Sequence, residues 1–345
     1  MLDQKQQNTH RSNSYHISPD GWVNTPNGIV YDFAIRIQTI LESIDKIPEL
    51  FSWFDYKSTL LETNNTHTSP HLQELALNWL ETAIIEHVRQ NITFRLHEQP
   101  IDDNWEIVGY ELLSRMWIKN RWWEELSWEQ RELVLKLFRV IWQSFIIFKT
   151  VFTQLCVAIR DNNAPRWERH INLEVADIIH PDLVKTIRDV SRAAWIQLDN
   201  ENVVLELVEH QDTVWYESKI CELQQELDKD LWIELELDDR FDGKLQTDHI
   251  ISEAEKLNTK RIKVDGKMTM KIWSLYKDKF FASYKSHKQL LEEIAQTFKK
   301  LAQKWYTITV EWIETQEMAD YFRDFMWISR QQWFRIDEQS WMSKS

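Results

Sequence analysis

The sequence predicts an α/β protein: a closed (β/α)8-like TIM barrel preceded by a helical N-terminal segment. Three observations carry this reading. From about residue 93 onward, eight short apolar runs with strand character alternate with longer amphipathic stretches, the pattern of strands in a sheet covered by helices. Polar side chains, mostly acids, recur at or just beyond the ends of those runs, where a barrel gathers them at one mouth. No glycine-rich phosphate loop follows any strand, which argues against the alternative, a doubly wound open sheet.

In chain order, residues 1 to about 20 are dominated by Gln, Asn, Ser and His and are expected to be disordered. Ile37, Ile40, Leu41, Ile44 and Ile47 fall at spacings of three and four, predicting a helix that Pro48 stops. Glu62 to Pro70 is rich in Thr, Asn and Ser and reads as a linker. A second helix is expected over Leu72 to Gln90. Residues 1–74 are therefore assigned to an N-terminal disordered and helical segment, and residues 75–345 to the barrel. Its strands are expected at Thr93–Ile101, Glu106–Leu113, His170–Leu173, Val203–Val208, Trp232–Leu237, Arg261–Val264, Thr307–Val310 and Trp327–Phe334. Helices are expected at Asp182–Ala194, Thr213–Asp228, Ile250–Leu257, His287–Lys304 and Gln316–Phe325. The apolar region Leu133–Ile159 is interrupted by Lys136, Arg139, Gln143, Lys149 and Gln154. A membrane span needs about 20 apolar residues with few charges, so this region is read as one or two packed helices and no membrane partner is expected.

Composition narrows the function. The net charge of −14 excludes a protein that coats a DNA or RNA polymer, which needs a basic face, but not one that holds a small phosphate ligand through metal ions. Cys156 and Cys221 have no metal-ligand spacing, and Met1–Ser18 has no apolar core, so a reducing cytoplasm is the expected location. The chain has 5 Gly and 19 Trp, where average usage predicts roughly 24 Gly. Lys304-Trp305-Tyr306, Glu311-Trp312-Ile313 and Gln332-Trp333-Phe334 each put the bulkiest side chain at a strand boundary, where positive φ or close backbone approach would call for glycine. Either the core is rich in Trp, or many of these codons are UGA, which some bacterial lineages decode as glycine.

The acids at the strand ends are Glu111, Glu209, Asp238 with Asp239, Asp265 and Glu311, joined by Asn172. Each alone reads as a helix cap or a solvated turn. Recurring at the ends of successive strands, they form a cluster that repels itself unless a cation sits inside, and hard oxygen ligands suit Mg²⁺ or Mn²⁺. Lys263, two residues before Asp265 and on the same strand face, adds one positive charge.

These segments resemble the EAL domain, the cyclic di-GMP phosphodiesterase fold, over about residues 75–345. Phe94 through Gln99-Pro100-Ile101 resembles its opening strand. Gly109-Tyr-Glu-Leu-Leu-Ser-Arg115 resembles the signature that names the family. Asn172-Leu-Glu, Leu205-Glu-Leu-Val-Glu209, Asp238-Asp239, Lys263-Val-Asp265, Val310-Glu-Trp-Ile-Glu-Thr315 and Gln332-Trp-Phe resemble its later strand-end motifs in order. Trp105, Trp232, Trp305, Trp312, Trp327 and Trp333 stand where the family has Gly. The resemblance implies a barrel with one strand antiparallel, hydrolysis of cyclic di-GMP to the linear dinucleotide, and two divalent ions held by Glu111, Asn172, Glu209, Asp238, Asp239 and Asp265. It also implies catalytic roles for Lys263, Glu311 and Gln332, and substrate contacts from Arg115, Gln99 and Glu314. Members often dimerise, so a homodimer is compatible with it. Asp238-Asp-Arg-Phe-Asp-Gly243 departs from the family's Asp-Asp-Phe-Gly-Thr-Gly, and the proline-bearing segment after the last motif is missing. The alternative function is a catalytically impaired module that binds the dinucleotide or a protein.

Overall fold

The computed structural model describes residues 22–25, 28–31, 33–47, 70–118, 124–140, 144–162, 167–198, 203–208, 217–231, 233–238, 247–277 and 285–333. The chain separates into two compact units, Met1–Asn91 with Ser127–Gln143, and Ile92–Leu126 with Ser144–Ser345. The expected disordered segment over residues 1–20, and the expected linker up to residue 69, lie outside the described residues.

In the first unit, β1 (Trp22–Thr25) pairs antiparallel with β2 (Gly28–Tyr31). Three helices follow: α1 (Phe33–Lys46), α2 (Pro70–Asn91) and α3 (Trp128–Val140). The expected apolar stripe of α1 is realised in buried Ile37, Ile40 and Ile47, the last just past the helix end. Pro70 opens α2, where its missing N–H costs nothing. Leu77, Leu80, Ile84, Ile85 and Val88 form its buried face. Arg36 of α1 makes a two-pronged buried ion pair with Glu81 of α2, at 2.8 and 2.7 Å, a geometry that only the guanidinium fork provides. At the start of α3, Ser127 Oγ accepts the Gln130 N–H at 3.2 Å while Gln130 Oε1 accepts the Ser127 N–H at 3.0 Å. This is a reciprocal capping box.

The second unit is a closed barrel of eight strands: β3 (Ile92–Asp103), β4 (Glu106–Ile118), β6 (Glu168–Leu173), β7 (Val203–Leu207), β8 (Glu234–Leu237), β9 (Arg261–Val264), β10 (Thr307–Ile313) and β11 (Arg330–Trp333). A two-residue strand, β5 (Glu124–Glu125), adds to the edge of β4. Around the barrel the order is β3-β11-β10-β9-β8-β7-β6-β4, closed by β3 against β4. Strand β3 runs antiparallel to both its neighbours, and every other pair in the barrel is parallel. Between the strands lie α4 (Ser144–Asn162), α5 (Val175–Ile178), α6 (Leu183–Ala193), α7 (Glu217–Asp230), α8 (Thr247–Lys256), α9 (Gly266–Lys277), α10 (Lys285–Gln303) and α11 (Gln316–Asp324).

All eight expected strands are present, with ends shifted by a few residues; β4 runs on to Ile118 and β11 is trimmed to four residues. Leu133–Ile159 resolves into two helices, α3 and α4. Along α4, Phe148, Val151, Phe152, Leu155 and Cys156 are buried, a helical stripe against protein rather than lipid. Among the described residues, no helix is long and apolar enough to cross a membrane. Helix α9 is an element that sequence reasoning missed. It opens on Gly266, a residue that more often ends helices, and it buries Met268, Thr269 and Ile272.

Candidate functional site

Strand periodicity sorts the barrel residues into two faces. Ile171 and Leu173, Leu205 and Leu207, Leu235 and Leu237, Ile262 and Val264, and Ile308 and Val310 are all buried and face the helices. The alternate positions point inward and are almost entirely polar, forming two layers. The upper layer, at the C-terminal ends of the parallel strands, holds Glu111, Asn172, Asp238, Lys263, Glu311 and Gln332. The residues two positions earlier are Gly109, His170, Glu236, Arg261, Thr309 and Arg330, and they form the lower layer. Gly109 is there because β4 and β6 approach closely: a Cβ on it would lie 3.0 Å from the Glu168 Cβ.

Lys263 organises the upper layer. Its side chain is fully buried, and Nζ lies 2.8 Å from Glu311, 3.0 Å from Glu206, 3.3 Å from Glu111 and 3.4 Å from Asp238. Desolvation lowers the lysine pKa, but the surrounding carboxylates overcome it and raise it well above its usual value. One ammonium cannot balance four carboxylates, so the acids divide. Burial raises Glu111, but Lys263 and the amides of Gln332 and Asn172 outweigh it and hold this group below its ordinary range. Burial pushes Glu206 up to about 7, Lys263 opposing and Glu111 adding to the rise. Burial, with neighbouring acids, also raises Asp238, and Glu311 rises well above the usual carboxylate value. Three of the four acids therefore hold their protons more tightly than free carboxylates do.

The two amide side chains show what the site lacks. Asn172 Nδ2 donates to Glu111 Oε1 at 3.2 Å, and Gln332 Nε2 donates to Glu111 Oε2. Their carbonyl oxygens, Asn172 Oδ1 and Gln332 Oε1, are buried without a hydrogen-bond partner. Buried carbonyl oxygens rarely stay unpaired. Beside excess carboxylate, they are the donor set of a hard divalent cation. Glu111, Asn172, Asp238, Glu311 and Gln332 therefore fit Mg²⁺ or Mn²⁺.

The other expected residues are placed as follows. Glu209 and Asp239 lie outside the described residues. Asp265 Oδ1 accepts the Lys267 N–H at 2.8 Å, capping α9 in the manner of an isolated strand-end acid. Gln99 pairs in register with Glu111 across β3 and β4, and its Nε2 donates to the Trp333 carbonyl at 2.9 Å. Arg115, on the same face of β4 as Glu111, lies 4.0 Å from Glu125. Glu314 is exposed just beyond β10. At the rim, Glu311 Oε2 accepts the Gly266 N–H at 3.3 Å, so the first turn of α9 points a backbone donor into the site. The Trp312 indole sits directly over Gly266, with its ring atoms 2.1 Å from where a Cβ would be.

The lower layer was not anticipated. His170 Nδ1 lies 2.9 Å from Glu206 Oε1 and 2.8 Å from Glu236 Oε2. His170, Glu206 and Glu236 are the one His/Cys/acid group of metal-binding geometry among the described residues. The ring is paired from all sides: Nε2 lies 3.1 Å from Glu168, which Arg261 and Arg330 also hold. Burial lowers the His170 pKa, but these carboxylates outweigh it and lift it to about 10. Burial would raise Glu236, yet His170 brings it down to about 2. With the imidazolium and two guanidinium groups facing Glu168, Glu206 and Glu236, the charges of this layer are paired within the protein. It is a rigid polar floor, tied to the mouth through Glu206, which bridges His170 and Lys263. The signal was in the sequence: ionisable residues stand two positions before four of the six strand-end residues, at His170, Glu236, Arg261 and Arg330.

No protein-family model and no curated protein sequence matches the chain. Solved structures do. The PaMucR phosphodiesterase in its c-di-GMP complex is 18% identical with a TM-score of 0.52, over 70% of this chain and 94% of that one. The EAL enzyme Bd1971, in its cAMP- and cyclic-di-GMP-bound form, is 18% identical with a TM-score of 0.57, over 84% and 74%. An EAL domain protein from Listeria monocytogenes EGD-e is 15% identical with a TM-score of 0.51, over 73% and 90%. With its one antiparallel strand and its acids at the strand ends, the chain has the EAL-domain barrel fold.

Proposed function

We propose that this chain is a metal-dependent phosphodiesterase that hydrolyses cyclic di-GMP to the linear dinucleotide. The observation that carries the reading is the upper layer: four carboxylates within 3.4 Å of one buried ammonium, with two amide oxygens beside them left unpartnered. In this reading Glu111, Asn172, Glu209, Asp238, Asp239 and Asp265 would hold two divalent ions, whose chemistry there would be water activation and charge stabilisation for phosphodiester hydrolysis. Glu311 is the proton acceptor. Burial and the neighbouring acids raise its pKa well above the usual carboxylate value, with Lys263 opposing, which suits a group that takes up a proton, and the Gly266 N–H fixes its orientation. Lys263 keeps its charge throughout and offsets negative charge developing on the phosphodiester. Gln332 fixes the Glu111 carboxylate. Arg115 supplies the phosphate clamp, and Gln99 and Glu314 border the substrate.

The test is turnover of cyclic di-GMP with Mg²⁺ or Mn²⁺, followed as linear product by chromatography. Chelator and Glu111→Gln should each abolish it. Turnover that survives both would sink the reading. A second reading, a module that binds without hydrolysis, is favoured by one observation: the Trp312 indole lies over Gly266, whose N–H meets Glu311.

A further inference from the structure

Among the described residues, seven other than glycine have left-handed backbone, and five of these are tryptophans: Trp105 (φ 73°), Trp195 (57°), Trp305 (66°), Trp312 (56°) and Trp327 (64°). The remaining two are Asn104 and Asn258, of the residue type that best tolerates that region after glycine. For a bulky side chain each case is an outlier, and five in one residue type need a common cause.

The local geometry at four of the five specifies glycine independently. Asn104 and Trp105 are the two-residue connection between β3 and β4, with Asp103 paired to Glu106. Both have positive φ, which defines a type I′ hairpin turn whose preferred pair is Asn-Gly. At the end of α6, the Trp195 N–H donates to the Arg192 carbonyl and the Ile196 N–H to that of Ser191. At the end of α10, the Trp305 N–H donates to Ala302 and the Tyr306 N–H to Leu301. Both are Schellman motifs with tryptophan at the left-handed position that glycine, or sometimes asparagine, occupies. The equivalent turn after α8, with the Asn258 N–H on Glu255 and the Thr259 N–H on Ala254, shows the asparagine version. Trp312 lies where β10 slips register against β11, between Val310 and Ile313. A bulge of this kind takes glycine when its residue is left-handed.

At the two helix ends the side chains offer no compensation. Trp195 is 92% exposed and Trp305 87%, so neither indole gains burial for the strained backbone. Trp273 is the contrast: it lies within helix α9, stacked on Tyr276 and against Tyr321 with ring centroids 5.4 and 5.8 Å away, as a structural tryptophan should be.

We infer that the functional polypeptide carries glycine at positions 105, 195, 305, 312 and 327, encoded by UGA codons that the source organism decodes as glycine. At 105, 195 and 305 this corrects a turn, and at 312 a bulge. At 312 it also changes the rim of the proposed site, and that part rests on the phosphodiesterase reading: without the indole, Gly266, whose N–H meets Glu311, is uncovered.

Two measurements test the assignment without reference to catalysis. The first is the codon at each position, together with mass spectrometry of tryptic peptides from the chain isolated from its source cells. UGA codons and glycine-bearing peptides are expected, whereas UGG codons or tryptophan-bearing peptides overturn the assignment. The second compares the full-length chain as written with one carrying Trp105→Gly, Trp195→Gly, Trp305→Gly, Trp312→Gly and Trp327→Gly. The glycine form should give the higher yield of folded monodisperse protein and a melting temperature several degrees higher; failure of the tryptophan form to fold counts the same way. Equal or lower stability of the glycine form overturns it. Cyclic di-GMP turnover in the two forms then bears on position 312 alone. If peptides show glycine there and the glycine form still does not hydrolyse, the phosphodiesterase reading fails while the residue assignment stands.

Discussion

Replacing Lys263 with methionine tests the electrostatic account of the barrel mouth most directly. Methionine nearly matches the lysine stem in volume, so packing changes little, while the ammonium that contacts Glu111, Glu206, Asp238 and Glu311 disappears. At about 3 Å and an effective dielectric of about 20, each contact is worth roughly 5 kcal/mol before desolvation. Removing one partner of a buried pair costs about 3–5 kcal/mol in practice. The acids can soften that loss only by binding protons, which three of them already favour, since Glu206, Asp238 and Glu311 lie above their ordinary values. A group with a raised folded-state pKa contributes stability that is complete below its unfolded pKa and lost as pH rises through the folded value. The variant should therefore be destabilised by about 3–5 kcal/mol at about pH 8 and by much less at about pH 5. The assay is urea unfolding of both proteins in chelator at the two pH values. Equal losses at both, or a loss below about 1 kcal/mol at the higher pH, would show that Lys263 does not hold these charges together.

The same logic gives a pH slope in the unaltered chain. The contribution of Glu206, raised to about 7, is present below about pH 4.5 and lost as pH rises through about 7, on the order of 3 kcal/mol; Glu206→Gln should flatten that part of the unfolding profile. Divalent cations should displace protons from the acids of the site, so Mn²⁺ titrations in buffers of different ionisation enthalpy should report net proton release, smaller in Glu311→Gln. His170→Ala should cost about 3–5 kcal/mol in chemical denaturation by leaving Glu206 and Glu236 facing each other without their cation. Asp265→Ala, removing a cap, should cost about 1 kcal/mol.

Much of this was legible because it depends on local rules. The alternation of Ile171, Leu173 and Leu205, Leu207 with polar neighbours located the strands, and the stripe Ile37–Ile40–Ile47 located α1. The gathering of Glu111, Asn172, Asp238, Lys263 and Glu311 followed from barrel geometry, because every parallel strand delivers its end to the same mouth, while Gln332 came from the family resemblance. What escaped depends on neighbours distant in sequence. That Asp265 caps α9 through Lys267 is decided by a helix that Gly266 disguised. That Glu206 reaches Lys263 depends on the register of β7 against β8. The floor of His170, Glu236, Arg261 and Arg330 was hidden because each residue looks like an isolated charge until the sheet closes.

The reversed strand β3 also has a consequence for synthesis. It is joined to β4 by a two-residue turn, so that pair forms as soon as residues 92–118 leave the ribosome. Its other neighbour is β11, the last strand of the barrel. Until residue 333 emerges, the growing sheet has two unpaired edges, one on β3 and one on its newest strand, each a template for another chain. The barrel closes only when its final four-residue strand docks, so a truncation that removes Arg330–Trp333 leaves an open sheet instead of a slightly smaller barrel.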